Sequence, residues 1–190
     1  MKHFNIPFEE RLIKLDLPTT AGEIAKYSPS GKVPALIDGE ITVWESMAIV
    51  EYLNEKYPEK QIWPKDREAR ALARSVSSEM HAGFATMRSL MSHNLKKQLP
   101  GFDWSKAKTD VERVKQIWSE CLGRSGGPFL FGDFSVADAM YAPVVNRFVT
   151  YDVKLDGALK EYSDQMLDLP AHREWIKGAL AEDFTAPDHD

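Results

Sequence analysis

The chain has 190 residues, of which 43% are hydrophobic and 28% charged, so one large domain or two small ones can fold without disulfides or metals. Lysine and arginine total 24 against 29 acidic residues, and the net charge of −5 argues against nucleic acid as a partner. Cys121 is the only cysteine, which excludes an internal disulfide and is typical of a reducing compartment.

No apolar run approaches the roughly 18 residues that a membrane-spanning helix requires. The N-terminus, Met1 to Pro7, also lacks the apolar run of a signal peptide. Together with the single cysteine, these features predict a cytoplasmic protein with no membrane partner.

The first part of the chain mixes short helices and strands. Asn5 before Ile6-Pro7 is a helix stop, so residues 1–5 are predicted to be the last turn of a longer helix. A strand is predicted over residues 8–15 from loose alternation, and a short helix over residues 21–27.

A β-hairpin is predicted next. Two apolar runs, residues 33–37 and 41–44, flank the tight-turn dipeptide Asp38-Gly39. Ser46 is then expected to cap a helix that ends near residue 57.

The rest of the chain is predicted to be helical, because its apolar residues recur at spacings of three and four. The first expected helix starts at Asp66 and carries apolar residues as far as Leu90, before a break at Pro100-Gly101. The others cover about 111–122, about 135–151, 156–167 and 170–180, and residues 185–190 form a polar tail. These patterns divide the chain into domains at 1–64 and 65–190.

Ser135 and Asp138 have capping-box spacing at the start of one of these helices, with Asp in place of the usual Glu. Their predicted role is structural, so losing Asp138 should cost stability rather than remove a reacting group. Pro143 within the same helix predicts a kink.

The residues around the hairpin carry the most chemical information. Val33-Pro34 places a proline, which has no N–H, at the start of a strand, so its edge can pair with an extended peptide. Ser46 opens a helix, whose free N–H groups favour a carboxylate, and Glu45 beside it can accept from an ammonium group. A small peptide with both charges at one end would fit.

The Gly-Lys-Val-Pro-Ala-Leu run, the hairpin and the Glu-Ser pair together resemble the glutathione site of the cytosolic glutathione transferases. The resemblance implies that Val33 and a cis Pro34 bind the cysteinyl backbone of glutathione. It assigns the γ-glutamyl end to Glu45 and Ser46, and the glycyl carboxylate to Lys32. A plain hairpin followed by a capped helix is the alternative interpretation.

The resemblance extends to residues 129–138, which are similar to the helical-domain signature of that family. It implies an α+β thioredoxin-like N-terminal domain, here truncated, followed by an all-α helical-bundle domain. It also implies glutathione as co-substrate, a small electrophile as partner and a homodimer. No metal is expected, since the five histidines have no metal-ligand spacing.

The chain differs from the family pattern at its N-terminus. In the family, a Ser, Tyr or Cys in the loop after the first strand stabilises the glutathione sulfur as a thiolate. Residues 5–8 match the end of the following helix, so the segment that carries this group is expected to be missing. No residue of the chain can be assigned the catalytic role, and His3 is a poor candidate.

The electrophile site is expected between the domains, along the long predicted helix. Its candidate residues are Met80, His81, Phe84, Met87 and Arg88. The alternative is that the apolar members are core and that the polar members bind each other or nearby carboxylates. Arg88, Asn94 or Lys97 would suit an acidic substrate.

Three functions remain open at this point. The chain can be an enzyme that conjugates, isomerises or reduces a small electrophile with glutathione. It can be a non-catalytic glutathione-binding or interaction module. It can also be a truncated, inactive form whose exposed sheet edge favours aggregation.

Overall fold

The computed structural model describes residues 1–183, so the predicted polar tail at 185–190 lies outside the described residues. The chain divides into two compact units. The first comprises Met1–Ile62 together with Asp183, and the second comprises Trp63–Glu182.

The first unit is a small α+β structure. Its regular elements are a 3-10 turn Lys2–Phe4, α1 (Thr20–Ala25), β1 (Ala35–Asp38), β2 (Ile41–Trp44), α2 (Ser46–Lys56) and a second 3-10 turn Pro58–Lys60. Asn5 ends the first turn in the left-handed conformation, with φ of 51°, as the predicted helix stop requires.

The predicted hairpin is confirmed. β1 and β2 pair antiparallel, with Ala35 opposite Trp44 and Asp38 opposite Ile41. Gly39 supplies the positive φ of 62° that the first position of this two-residue loop requires.

The strand predicted over residues 8–15 is wrong. These residues have no regular secondary structure, and Leu12 is 67% exposed. A strand needs a neighbour with which to exchange backbone hydrogen bonds, and the described sheet contains β1 and β2 alone. Local contacts hold the segment instead: the Thr20 hydroxyl donates to the Lys14 carbonyl and accepts from the Leu17 N–H.

Helix α2 is fixed to the turn end of the hairpin by a polar contact. The Tyr52 hydroxyl donates to Asp38 Oδ2 at 2.5 Å, and the Lys56 ammonium pairs with the same oxygen. Lys56 first, and then Tyr52, hold the pKa of Asp38 below its usual value. Because this contact fixes α2 to the hairpin, the end of the hairpin away from the turn, at the Ala35–Trp44 pair, has a defined position relative to the start of α2.

The second unit is all-helical, as predicted. Its elements are α3 (Arg67–Ala82), α4 (Ala85–Leu90), a 3-10 turn Ser105–Ala107, α5 (Lys108–Ser125), α6 (Val136–Thr150), α7 (Gly157–Asp168) and α8 (Pro170–Ala181). Among the described residues, no helix is long and apolar enough to span a membrane. At the centre of the core, Trp118 contacts Tyr141, Phe148 and Tyr162 with ring centroids 4.9–6.0 Å apart.

One continuous helix from Asp66 to residue 90 was expected, and that prediction is wrong. Asp66 caps α3 through the Ala69 N–H, but α3 ends at Ala82. A Cβ on Gly83 would lie 2.7 Å from the Glu79 carbonyl oxygen, and Phe84 has a φ of 57°. The chain turns at these two residues before α4 begins.

The capping box at the start of α6 is confirmed. Asp138 accepts from the Ser135 N–H at 2.8 Å and from the Ser135 hydroxyl, which in turn accepts from the Ala137 N–H. Asp138 also accepts from the Leu130 N–H at 3.0 Å, so it ties the preceding loop to the helix. Pro143 lies inside α6, and the kink expected there stays a prediction.

Candidate functional site

The entrance to the hairpin presents an exposed backbone. The Val33–Pro34 peptide bond is cis, as the resemblance implied. Val33 is 50% exposed, and β1 begins only at Ala35. Because β1 has a strand partner on one side only within residues 1–183, an extended peptide can pair with the backbone beside Val33.

The start of α2 presents free backbone donors. Ile49 N–H makes the first intrahelical bond, to the Glu45 carbonyl at 2.9 Å. The preceding N–H groups, on Ser46, Met47 and Ala48, therefore have no acceptor within the helix, and this end carries partial positive charge. These groups can bind a carboxylate.

The predicted cap at Ser46 needs a correction. Glu45 occupies the cap position, no side chain caps the helix, and Ser46 is its first residue. The Ser46 hydroxyl has no hydrogen bond within the described residues, so it remains available to a ligand. Glu45 has a φ of 72° and a ψ of 127°, a conformation that non-glycine residues rarely adopt and that is concentrated at functional sites.

The register of the hairpin brings the two features together. Ala35 pairs with Trp44 at the end of the ladder away from the turn. Pro34 comes just before Ala35 and Glu45 just after Trp44, so both lie at this end of the hairpin. Lys32 is exposed and precedes this end, with its backbone N–H held by Ser30 Oγ at 3.3 Å. The five predicted residues thus form one corner, composed of a strand edge, a helix start and one side chain of each charge.

The second predicted set, around α3 and α4, divides by burial. Met80, Phe84 and Met87 are exposed by only 6%, 7% and 0%, which supports the core interpretation for them. Arg88 is exposed and donates through Nη1 to the His81 carbonyl at 2.9 Å. Arg88 and His81 are the members of the set that keep polar surface.

Within residues 1–183, the structure gives no residue that could activate the glutathione thiol and no group of side chains that could bind a metal ion. Burial raises the pKa of Cys121 to about 11, so its thiol is protonated at neutral pH. Burial lowers the pKa of His3. The described residues contain no group of three His, Cys, Asp or Glu side chains placed to hold a metal ion. His189 lies outside the described residues.

Sequence reasoning missed a polar cluster inside the helical unit. His93 Nε2 lies 3.3 Å from Asn146 Nδ2, and Asn146 Oδ1 lies 3.1 Å from His172 Nε2. His172 Nδ1 is 2.8 Å from the Met166 carbonyl. The detectable signal was an Asn-Arg pair, Asn146-Arg147, within an otherwise apolar stretch of α6.

The cluster is fully satisfied when both imidazoles are neutral and the Asn146 amide is rotated by a half-turn. A neutral His172 that donates from Nδ1 to the Met166 carbonyl has an acceptor at Nε2, which requires the amide nitrogen. The amide oxygen then accepts from His93 Nε2–H. Amide orientation is assigned from such networks.

The fold and the corner define a protein of two units, an α+β unit that can hold a small peptide and an all-helical unit. Residues 1–56 match the family model of the glutathione S-transferase N-terminal domain, and residues 78–178 match that of the C-terminal domain. The chain belongs to the glutathione S-transferase family, and its first unit is thioredoxin-like.

Known proteins agree with this assignment. A probable maleylacetoacetate isomerase from Caenorhabditis elegans is 28% identical over 173 residues, 88% of this chain and 80% of the relative. Glutathione S-transferase 1 of Dianthus caryophyllus is 30% identical over 131 residues, 67% of this chain and 59% of the relative. A glutathione transferase homologue from Burkholderia, solved with bound glutathione, has a TM-score of 0.68 at 25% identity, covering 94% of this chain and 86% of that one.

Proposed function

We propose that this protein binds glutathione at the corner formed by Lys32, Val33, Pro34, Glu45 and Ser46. It transfers glutathione to a small electrophile, or uses glutathione to isomerise or reduce one. The observation that carries the proposal is that the free N–H groups at the start of α2 and the exposed backbone of Val33 lie at the same end of one hairpin.

Each part of the corner suits a different part of the tripeptide. The γ-glutamyl carboxylate binds the N–H groups at the start of α2 and the Ser46 hydroxyl, because both are donors without an internal acceptor. Glu45 accepts from the γ-glutamyl ammonium group. The cysteinyl backbone pairs with Val33, and Lys32 reaches the glycyl carboxylate.

The chemistry depends on the glutathione sulfur being present as a thiolate, since the thiol is a weak nucleophile. Cys121 plays no part in this, because it is buried and its pKa is raised. The nematode relative is named an isomerase, and for this reason isomerisation stands beside conjugation in the proposal.

The Ser46→Ala variant tests the corner. We expect it to weaken glutathione binding by about 1–2 kcal/mol, because a hydrogen bond to a charged group is lost. Isothermal titration calorimetry with glutathione measures the change. Ser119→Ala, on the exposed surface of α5, is the matched control and should leave the affinity unchanged. Equal affinities for wild type and Ser46→Ala would refute the assigned corner.

A combined assay separates the enzyme from a binding module. We expect retention on immobilised glutathione together with turnover of at least one electrophile class. Retention without turnover across conjugation, isomerisation and reduction assays would favour the non-catalytic alternative. Failure to be retained would count against both.

We also expect a homodimer, since the family resemblance implies one. Sedimentation-velocity ultracentrifugation should give a species of twice the 21.5 kDa chain mass. A single monomeric species at the concentrations used for the binding assays would contradict this expectation.

A further inference from the structure

A single residue joins the start of α2 to the hairpin. β2 ends at Trp44 and α2 begins at Ser46, so Glu45 is the hinge between them. Its φ of 72° and ψ of 127° are rarely adopted by non-glycine residues, and such a conformation persists only where surrounding contacts hold it. Contacts elsewhere must therefore set the angle between α2 and the hairpin.

Apolar packing anchors α2 only in part. Among its described residues, Leu53 is the one that is buried, while Ile49 and Val50 are half-buried. An amphipathic helix normally takes its position from an apolar face packed on the core. Because so little of this face is fully enclosed, apolar contacts constrain the tilt of α2 about Glu45 weakly.

Polar contacts join the second half of α2 to the turn of the hairpin. The Tyr52 hydroxyl donates to Asp38 Oδ2 at 2.5 Å, and the Lys56 ammonium pairs with the same oxygen. Lys56 first, and then Tyr52, lower the pKa of Asp38, so both contacts are made to a carboxylate that is ionised at neutral pH. We call Asp38, Tyr52 and Lys56 the clamp.

The clamp lies far enough from the hinge to control the angle of the helix. At about 1.5 Å of rise per residue, Tyr52 lies roughly 9 Å and Lys56 roughly 15 Å along the helix from Ser46. Asp38 pairs with Ile41 beside the turn, at the opposite end of the ladder from Glu45. A tilt of α2 about Glu45 would therefore misalign the hydrogen bonds of the clamp, which weaken steeply as they depart from linear geometry.

We propose that the clamp positions the glutathione site, by holding α2 at the angle that presents the N–H groups of its first turn to a ligand bound beside Val33. This inference rests on the proposed function and adds three residues to it. None of the three is assigned a contact with glutathione, so they are positioning residues. Without the clamp, Glu45 should relax, and the N–H groups that bind the carboxylate should move relative to the strand edge.

The competing explanation is that the clamp only stabilises the fold. Lys56 is exposed, and exposed ion pairs contribute little to stability. If the clamp is only structural, the folded protein binds glutathione equally well with it or without it. Positioning instead requires that the affinity of the folded protein falls when the clamp is broken.

Calorimetric titration with glutathione tests the proposal on Tyr52→Phe, which removes the hydroxyl and keeps the ring. Circular dichroism first establishes a temperature at which every variant is fully folded. We expect the affinity to fall by about fivefold, the effect typical of losing one hydrogen bond. Tyr57→Phe is the matched control and should bind as wild type does, because Tyr57 ends the same helix and its hydroxyl has no hydrogen bond within the described residues.

A second readout needs no ligand. In NMR spectra of the free protein, Tyr52→Phe should shift the backbone amide resonances of Ser46, Met47 and Ala48, whereas Tyr57→Phe should leave them in place. Unchanged resonances of these three amides in Tyr52→Phe would overturn the proposal.

Titration of Ser46→Ala in the same series separates the clamp from the corner. If Ser46→Ala weakens binding and Tyr52→Phe does not, the corner stands and the clamp is refuted. Equal affinities for wild type and Ser46→Ala would refute the corner, and the clamp with it.

Discussion

Replacing Asp138 with alanine should lower the free energy of unfolding by about 3–4 kcal/mol. The carboxylate is fully buried and accepts from the Leu130 N–H, the Ser135 N–H and the Ser135 hydroxyl. Alanine would leave these buried donors without an acceptor and would open the capping box of α6. Asp138→Asn should cost less, because the amide keeps one oxygen as an acceptor.

Urea unfolding followed by circular dichroism measures the change for Asp138→Ala. The matched control is Asp133→Ala, an exposed acid in the same loop, for which we expect a change within about 0.5 kcal/mol. Glutathione affinity of the folded variant should stay at the wild-type value, since Asp138 has a structural role. A loss of stability below about 1 kcal/mol would contradict the importance of this network.

Acidification should destabilise the protein through His93 and His172. Burial first, and then the charges of Arg147 and His172, lower the pKa of His93 to about 4. Burial also lowers the pKa of His172, against the opposing effect of its bond to the Met166 carbonyl. The folded state therefore favours neutral imidazoles at both positions.

The sign and the pH range follow from these pKa values. The unfolded chain binds a proton at each histidine near pH 6.5, while the folded state resists it, so stability is complete above about pH 6.5 and falls as the pH decreases toward 4. His93 alone should account for about 2–3 kcal/mol of this loss. Burial raises the pKa of Asp138. The contribution of this group to the stability of the folded state therefore has the opposite pH dependence and is largest at low pH.

Denaturant unfolding of wild type and His93→Gln at pH 7 and pH 4.5 tests the assignment. The difference at pH 7 reports the lost packing against Trp175, whose ring stacks on His93 at 5.5 Å, together with the altered contact to Asn146. The change in that difference between the two pH values reports the titration alone. We expect the variant to lose less stability than wild type on acidification, and parallel losses would exclude His93 as the group responsible.

Local sequence signals predicted much of the fold. The hairpin followed from two apolar runs around Asp38-Gly39, because a glycine supplies the positive φ that the turn requires. The start of α6 followed from the Ser135 and Asp138 spacing, and the start of α3 from Asp66. These features involve residues close in sequence, so their physics is contained in the local pattern.

Two errors arose where a local pattern was not decisive. Residues 8–15 alternate loosely, but strand formation depends on a pairing partner elsewhere in the chain. The apolar spacing runs through Gly83 and continues to Met87, because Phe84 and Met87 are buried as the apolar residues of α3 are. Periodicity therefore could not reveal the break at Phe84, which depends on backbone conformation.

The candidate site was predicted in part for the same reason. Pro34, Glu45 and Ser46 flank one hairpin, and a pattern of turn and spacing was enough to place them at one end. Their chemical roles stay predictions. The cluster of His93, Asn146 and His172 was missed, because its members come from separate elements and no spacing joins them.

The sequence by itself determined the hairpin with Pro34 and Glu45 at one end, and the capping box of α6, since each depends on residues within a few positions or across one tight turn. Tertiary structure alone decided that Met80, Phe84 and Met87 are core. It also made the Met91 and Pro143 carbonyls the acceptors for the Arg147 guanidinium group. Burial and charge pairing depend on which distant elements pack together, and that information emerges only when the whole chain has folded.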